Sequence, residues 1–316
     1  MNNEEKATQM RQEQRWKEWV KKKIGFYIST GKWDNLSVAQ LSAWLANFDE
    51  EGQKWALALL NNFIYYPDRD VKRLCQYAIM KVVFRDKLLN IDQSHDFCCP
   101  DEVLLKELSA RIQETKIVPV LKEGNPTESG NNIARIYTAT GLIKEDQVIR
   151  PDDIISNINQ GACKRLLFVD DFLGSGKQLD SFWNEKHRWL RIKNQTLAQI
   201  CRQHPNISFE YVALVATSQG LKNIEGRVTG LKIAFCEKLS DEYQVFGNDS
   251  IFFETLEDRK ACQNYLQKLC RQKKIRVMGY RGLDFAIAFH HGAPNSCLPL
   301  FWDESTTWSP LFERRM

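Results

Sequence analysis

Hydrophobic positions divide the chain into two textures. Up to about residue 112 they recur at three- and four-residue spacing, which predicts helices throughout. In LSVAQLSAWLANF, Leu36, Leu41, Trp44, Leu45 and Phe48 fall at such spacing, with Ser37 as a candidate N-cap. QKWALALLNNFIYY and DVKRLCQYAIMKVVF repeat the pattern on either side of Pro67-Asp68. From about residue 113, short β-rich runs alternate with helical ones. KIVPVL (116–121), RLLFVDDF (165–172), FEYVALVA (209–216) and LKIAFCEKL (231–239) read as strands. Helices are predicted from NNIARIY (131–137), through Trp183, Trp189 and Leu190, and from Leu256 to about Arg271. Such alternation predicts an α/β fold with a mostly parallel sheet and helices on its faces. The last 40 residues break the rhythm, with AIAF as one strand before an irregular aromatic and proline-rich segment. The predicted organisation is an N-terminal helical domain (1–112), an α/β core (113–275) and a C-terminal extension (276–316) packed on that core.

Composition narrows the class. The 316 residues carry a formal net charge of +4, too small to argue for nucleic acid by itself. No run approaches 18 apolar residues, and the N-terminus has no apolar segment of the signal-peptide kind. A cytoplasmic, soluble protein with no membrane partner is expected. Nine cysteines, an odd number with no CxxC, read as reduced thiols with neither a disulfide framework nor a zinc site. Cys98-Cys99 beside His95 lacks the second pair a zinc site needs. Five tryptophans (16, 19, 33, 44, 55) lie in the helical region, mostly as core, with a docking face as the alternative. Arg15, Lys17 and Lys21–Lys23 form a solvated helix end or, alternatively, a phosphate patch.

The segment LLFVDDFLGSGKQL (166–179) carries the chemistry. Four apolar residues make a buried strand, Asp170 and Asp171 stand at its carboxyl end, and Gly174-Ser175-Gly176 turns into a helix. In parallel α/β sheets ligands bind outside the carboxyl ends of the strands. The turn leaves the backbone N–H groups of residues 174–178 at a helix N-terminus, which suits a phosphate, and Lys177 adds charge. Two acids before such a cradle suit a ribose phosphate, accepting from its hydroxyls or orienting Mg²⁺ water. A P-loop is excluded, because Asp171 stands at its first glycine and Gln178 at its Ser/Thr; a GxGxxG loop is excluded too. His290 and His291 after the AIAF strand are candidate acid–base groups, or else one caps a turn and the other is solvated.

VDDFLGSGKQL resembles the phosphoribosyl-diphosphate (PRPP) motif of type I phosphoribosyltransferases. That resemblance implies that Asp170 and Asp171 face the ribose and hold Mg²⁺, and that Gly174, Ser175, Gly176, Lys177 and Gln178 hold the 5′-phosphate. Gly174 and Gln178 stand where threonines are usual. It also implies a pyrophosphate loop at Lys122–Gly130, including Glu128, Ser129 and Gly130, and a flexible lid at Thr138–Arg150. In such a site Asn295 and Trp302 would belong to a hood over the nucleotide. WLANF, DDFLGSG and AFHHGAPNSCLPLFW together are similar to phosphoribosyltransferase-like proteins with a C-terminal extension, a group associated with retron and other anti-phage loci. The implied function is group transfer at an anomeric carbon of PRPP or a nucleotide. The alternatives are a non-catalytic nucleotide sensor and a scaffold whose N-terminal helices bind a defence protein or a protein–nucleic acid complex.

Overall fold

A computed structural model describes residues 3–121, 129–188 and 195–312. The first helices are α1 (Asn3–Ser29), α2 (Val38–Leu45) and α3 (Glu50–Asn61), followed by strand β1 (Ile64–Tyr66). Then come α4 (Asp68–Ile79), α5 (Arg85–Ser94), α6 (Asp101–Gln113), β2 (Thr115–Pro119), α7 (Ser129–Ala139) and α8 (Ile154–Asn159). The sheet region continues with β3 (Arg165–Leu173), α9 (Lys177–Asn184), α10 (Leu197–Gln203), β4 (Ser208–Thr217), α11 (Ser218–Ile224) and β5 (Lys232–Leu239). Helix α12 (Leu256–Lys273) and strand β6 (Ile287–Phe289) complete the order, and a π-helical turn, Met80–Phe84, joins α4 to α5.

Contacts group the chain into two compact units, one of residues 1–68 with 240–315 and one of residues 69–239. This cuts the chain elsewhere than the three-part sequence division does. Helices α4–α6 belong with the sheet, and the C-terminal segment falls in the unit of the first 68 residues.

The second unit is built on a parallel four-stranded sheet of order β2-β3-β4-β5. Central strands of such sheets are covered on both faces and read as continuous apolar runs. Accordingly β3 and β4 are buried almost end to end. Strand β5 is an edge, exposing Lys232, Glu237 and Lys238, charges that discourage further pairing. Leu166, Phe168, Phe209 and Tyr211 pack with Leu179, Phe182 and Trp183 of α9 and Leu197 and Ile200 of α10. Helix α4 is tied to β5, where Cys236 Sγ donates to Leu74 O, and Lys81 Nζ from the π-helical turn donates to Phe235 O at 2.6 Å.

The first unit depends on aromatic packing. Trp44 is buried, stacks on Phe301 (5.3 Å, 14°), meets Phe48 edge-on and donates Nε1–H to Leu300 O at 2.7 Å. Phe63 stacks on Phe312, and β1 pairs in parallel with β6.

Several expectations are corrected here. The first 112 residues are not helical throughout: in NNFIYY the β-branched and aromatic run Ile64–Tyr66 is a strand because β6 offers it an edge. The helix after β3 ends at Asn184, and Trp189 and Leu190 lie outside the described residues. Residues 138–150 are not a free lid. Ile143, Gln147 and Ile149 are buried, Ile149 N donates to Ile117 O, and Val148 bridges to Ile117. Trp33, Trp44 and Trp55 are core, while Trp19 is exposed. Lys23 is bound to Asn61 O and Oδ1.

Trp44→Ala removes a ring that is fully buried, and about 3–5 kcal/mol of stability should go with it. Trp44→Phe should cost much less, because Trp308 Nε1 also donates to Leu300 O at 2.9 Å. Urea unfolding of the three proteins checks this. Equal midpoints for wild type and Trp44→Ala would contradict the assignment of this core.

Candidate functional site

Strand β3 carries Asp170 and Asp171 inside its carboxyl end, with Leu166–Val169 fully buried before them. Both aspartates are buried, at 3% and 7% exposure, and so stand in a medium that penalises charge. Asp170 Oδ1 accepts the N–H of Asp171 at 3.0 Å, and Oδ2 accepts the hydroxyl of Tyr211 on β4 at 3.3 Å. Burial pushes the Asp170 carboxyl well above the usual carboxylate range, and the charge of Asp171 and a hydrogen bond between the two carboxyls add to this. The Tyr211 phenol is pushed up as well, by burial first and Asp170 second. Without a cation the pair therefore favours one shared proton over two charges.

The turn after β3 is fixed through its carbonyls. Thr217, at the end of β4, donates Oγ1–H to Gly174 O at 2.7 Å and accepts the N–H of Gly220 at 2.8 Å. Asn223 Nδ2 donates to Ser175 O at 3.1 Å. Gly176 has φ +76° and is the N-cap of α9; a Cβ there would lie 2.7 Å from Ile224 Cγ2 and 2.9 Å from Gly220 O. A Cβ on Gly220 would overlap Gly174 O. The glycines thus let the turn and α11 touch backbone to backbone. With the carbonyls directed at α11, the N–H groups of Ser175, Gly176 and Gln178 have no hydrogen-bond partner among the described residues. The Lys177 N–H makes only a 3.4 Å contact with Ser175 Oγ. Unpaired amides at a helix N-terminus are suited to receiving an anion.

Other residues expected at the site are placed differently. Lys177 Nζ is engaged by Glu185 at 3.2 Å and Asp180 at 3.7 Å, so its charge serves an ion pair on α9. Gln178 Nε2 reaches Val120 O at 3.4 Å, just past β2. The segment 122–128, with Glu128, lies outside the described residues; Ser129 and Gly130 open α7, and their side chains are outside the description too.

His290 and His291 belong to the other unit and diverge from each other. His290 Nδ1 is 3.0 Å from Asp34 Oδ1, an oxygen that also accepts from Tyr65 Oη at 2.8 Å, while Asp34 Oδ2 accepts the N–H of Asp68 at 2.9 Å. Burial raises the Asp34 carboxyl, but the hydrogen bonds from His290, Asp68 and Tyr65 outweigh it and leave it below the ordinary range. The contact with Asp34 orients the His290 ring through Nδ1. His291 is buried and stacked on Phe289 (5.3 Å, 24°). Trp302 is core rather than hood, 3% exposed with Nε1 donating to Cys297 O at 3.1 Å; Asn295 is exposed, its carbonyl accepting the Tyr280 N–H.

Sequence reading missed Tyr211, Thr217, Asn223 and Asp34. Tyr211 was findable, because a hydroxyl inside a buried strand calls for a hydrogen-bond partner. Thr217-Ser-Gln-Gly220 also has the form of a helix cap. Asp34 carried no signal, since it lies 256 positions from its partner.

The PRTase-CE family model matches residues 41–314. The chain belongs to the PRTase-CE family. It is thus a phosphoribosyltransferase-like protein with a C-terminal extension, and the match takes in β3, the glycine turn and the Asp170–Tyr211 pair. No curated protein and no solved structure matches the chain. Among the described residues, no helix is long and apolar enough to cross a membrane.

Asp170→Asn tests the electrostatics of the pair. A folded-state carboxyl raised above its unfolded value stabilises below the ordinary 3.8, and that contribution is lost as pH rises towards the folded value. The melting temperature of Asp170→Asn relative to wild type should therefore increase as pH rises above about 4. A difference independent of pH from 4 to 8 would contradict the buried, proton-holding state.

Proposed function

We propose that this PRTase-CE protein binds a ribose 5-phosphate group, as PRPP or a nucleotide, and transfers or releases a group at the anomeric carbon. The observation carrying this reading is one strand that delivers two adjacent buried carboxyls and passes directly into a turn with outward amides. The amides of residues 175–178 take the 5′-phosphate, and Asp170 and Asp171 take the ribose hydroxyls. As the leaving group departs, positive charge develops on the ring, and nearby carboxylates in a dry site stabilise it. Fixing phosphate and ribose in one geometry supplies the rest.

The donor set fits Mg²⁺, which is commonly held by one or two carboxylates together with substrate phosphates. Asp170 and Asp171 would hold it, and among the described residues no third acid, His or Cys joins them in a cluster. When bound, the ion supplies charge neutralisation for the departing pyrophosphate and replaces the proton shared by the two acids.

A second reading, a nucleotide sensor without turnover, is favoured by one feature. Lys177 is tied up in ion pairs, and Gln178 brings an amide where the resemblance expects a hydroxyl. Under either reading the family's association points to an effector or sensor in anti-phage defence, read as plating efficiency of phage on expressing cells.

Ser175 is half-buried in the turn, so Ser175→Asp should fold normally and repel a phosphate. PRPP or a nucleoside monophosphate with Mg²⁺ should raise the melting temperature of wild type by more than that of Ser175→Asp. Purified wild type should release pyrophosphate or free base, and Asp171→Asn should lower turnover more than affinity. No melting shift with any ribose phosphate would overturn the site. Binding without turnover across PRPP, NAD and the common nucleotides would select the sensor.

A further inference from the structure

The sheet has a second charged end. At the amino ends of the strands, away from the aspartates and the glycine turn, lies a cavity of about 530 Å³ whose wall includes Arg111, Lys164, Arg165 and Lys232. Its size falls within the range of small-molecule sites, about 300–1,000 Å³. Glu114 is the one acid in its lining, and it pairs with Lys164.

Behind the wall, Arg165, the first residue of β3, forms an ion pair with Glu210 of β4, each side chain only 5% exposed. Glu210 Oε1 also accepts from Ser208 Oγ at 2.7 Å and lies 4.0 Å from Lys232 Nζ. Two carboxylates therefore face four cations. Arg111 spends its Nε–H on Val83 O at 3.3 Å and has no ion-pair partner among the described residues. Arg165 Nε and Glu210 Oε2, one donor and one acceptor of the same pair, are buried without hydrogen-bond partners, so Arg165–Glu210 balances itself and the excess positive charge of the wall comes from Arg111 and Lys232. Walls lined with an excess of one sign of charge raise the local potential for the opposite one. Pro205 and Ile207 form an apolar part of the wall, and Asn206 and Ser208 offer hydrogen-bonding groups.

We propose that this cavity is a second ligand site, for a phosphorylated small molecule of about mononucleotide size. Its phosphate sits between Arg111 and Lys232, and its body lies against Pro205 and Ile207. The site is separate from the glycine turn: Arg165 and Asp170 are five residues apart on one strand, roughly 17 Å at strand rise. Because β3 runs between the two, occupancy here has a direct route by which to influence the aspartates.

Equilibrium dialysis of adenosine 5′-monophosphate against the full-length protein tests the proposal, with Ser175→Asp used to close the glycine turn. Ser175→Asp should keep one binding site. Adding Arg111→Gln and Lys232→Gln, both at the cavity rim, should weaken that site by about tenfold or more, with the melting temperature unchanged. The proposal is overturned if Ser175→Asp alone removes all binding, or if the remaining site is indifferent to Arg111→Gln and Lys232→Gln. Failure of the glycine-turn site would appear differently, as unaltered stoichiometry in Ser175→Asp.

Discussion

Two carboxyl groups side by side in the middle of a parallel sheet are the constraint around which the second unit is organised. A central strand excludes water from both faces, and an isolated charge there is costly. The chain meets that cost with local partners, the Tyr211 hydroxyl and the Asp171 amide, while burial and Asp171 push the Asp170 carboxyl towards its neutral form. A cation or a developing positive centre beside such a pair would favour its charged form.

The turn that follows obeys a complementary rule. Thr217 and Asn223 take up the carbonyl side of Gly174 and Ser175, and close contact with Gly220 holds the arrangement. Its Ser175, Gly176 and Gln178 amides have no hydrogen-bond partner among the described residues. Acids that tolerate positive charge are thus joined within one strand–turn unit to amides that favour negative charge. A ribose phosphate carries both hydroxyls for acids and a phosphate for amides, which is why this pairing supports the phosphoribosyl reading better than a general anion trap.

The α/β class, the four sheet strands and the DDFLGSG turn were legible because each is a local pattern: buried runs, paired acids, glycines before a helix. What was illegible depended on distant partners. Ile64–Tyr66 continues an apolar helical pattern and becomes a strand only because Ile287–Phe289 lies beside it. The polar look of residues 138–150 hid Ile143 and Ile149, two apolar anchors that hold the segment down. Lys177 invited a phosphate role until Glu185 and Asp180 were seen to claim it. His290 looked equivalent to His291 until Asp34 distinguished them. In each case a residue's own chemistry was readable and its partner was not.

The central claim is that the free amides of the glycine turn hold the ligand's phosphate. An amide-resolved ¹⁵N–¹H titration of the protein with ribose 5-phosphate and Mg²⁺ tests it most directly. The account predicts that the Ser175, Gly176 and Gln178 resonances move downfield together and saturate at one affinity, as each N–H gains a charged acceptor. Resonances of these three residues that stay in place while the ligand binds elsewhere would contradict it.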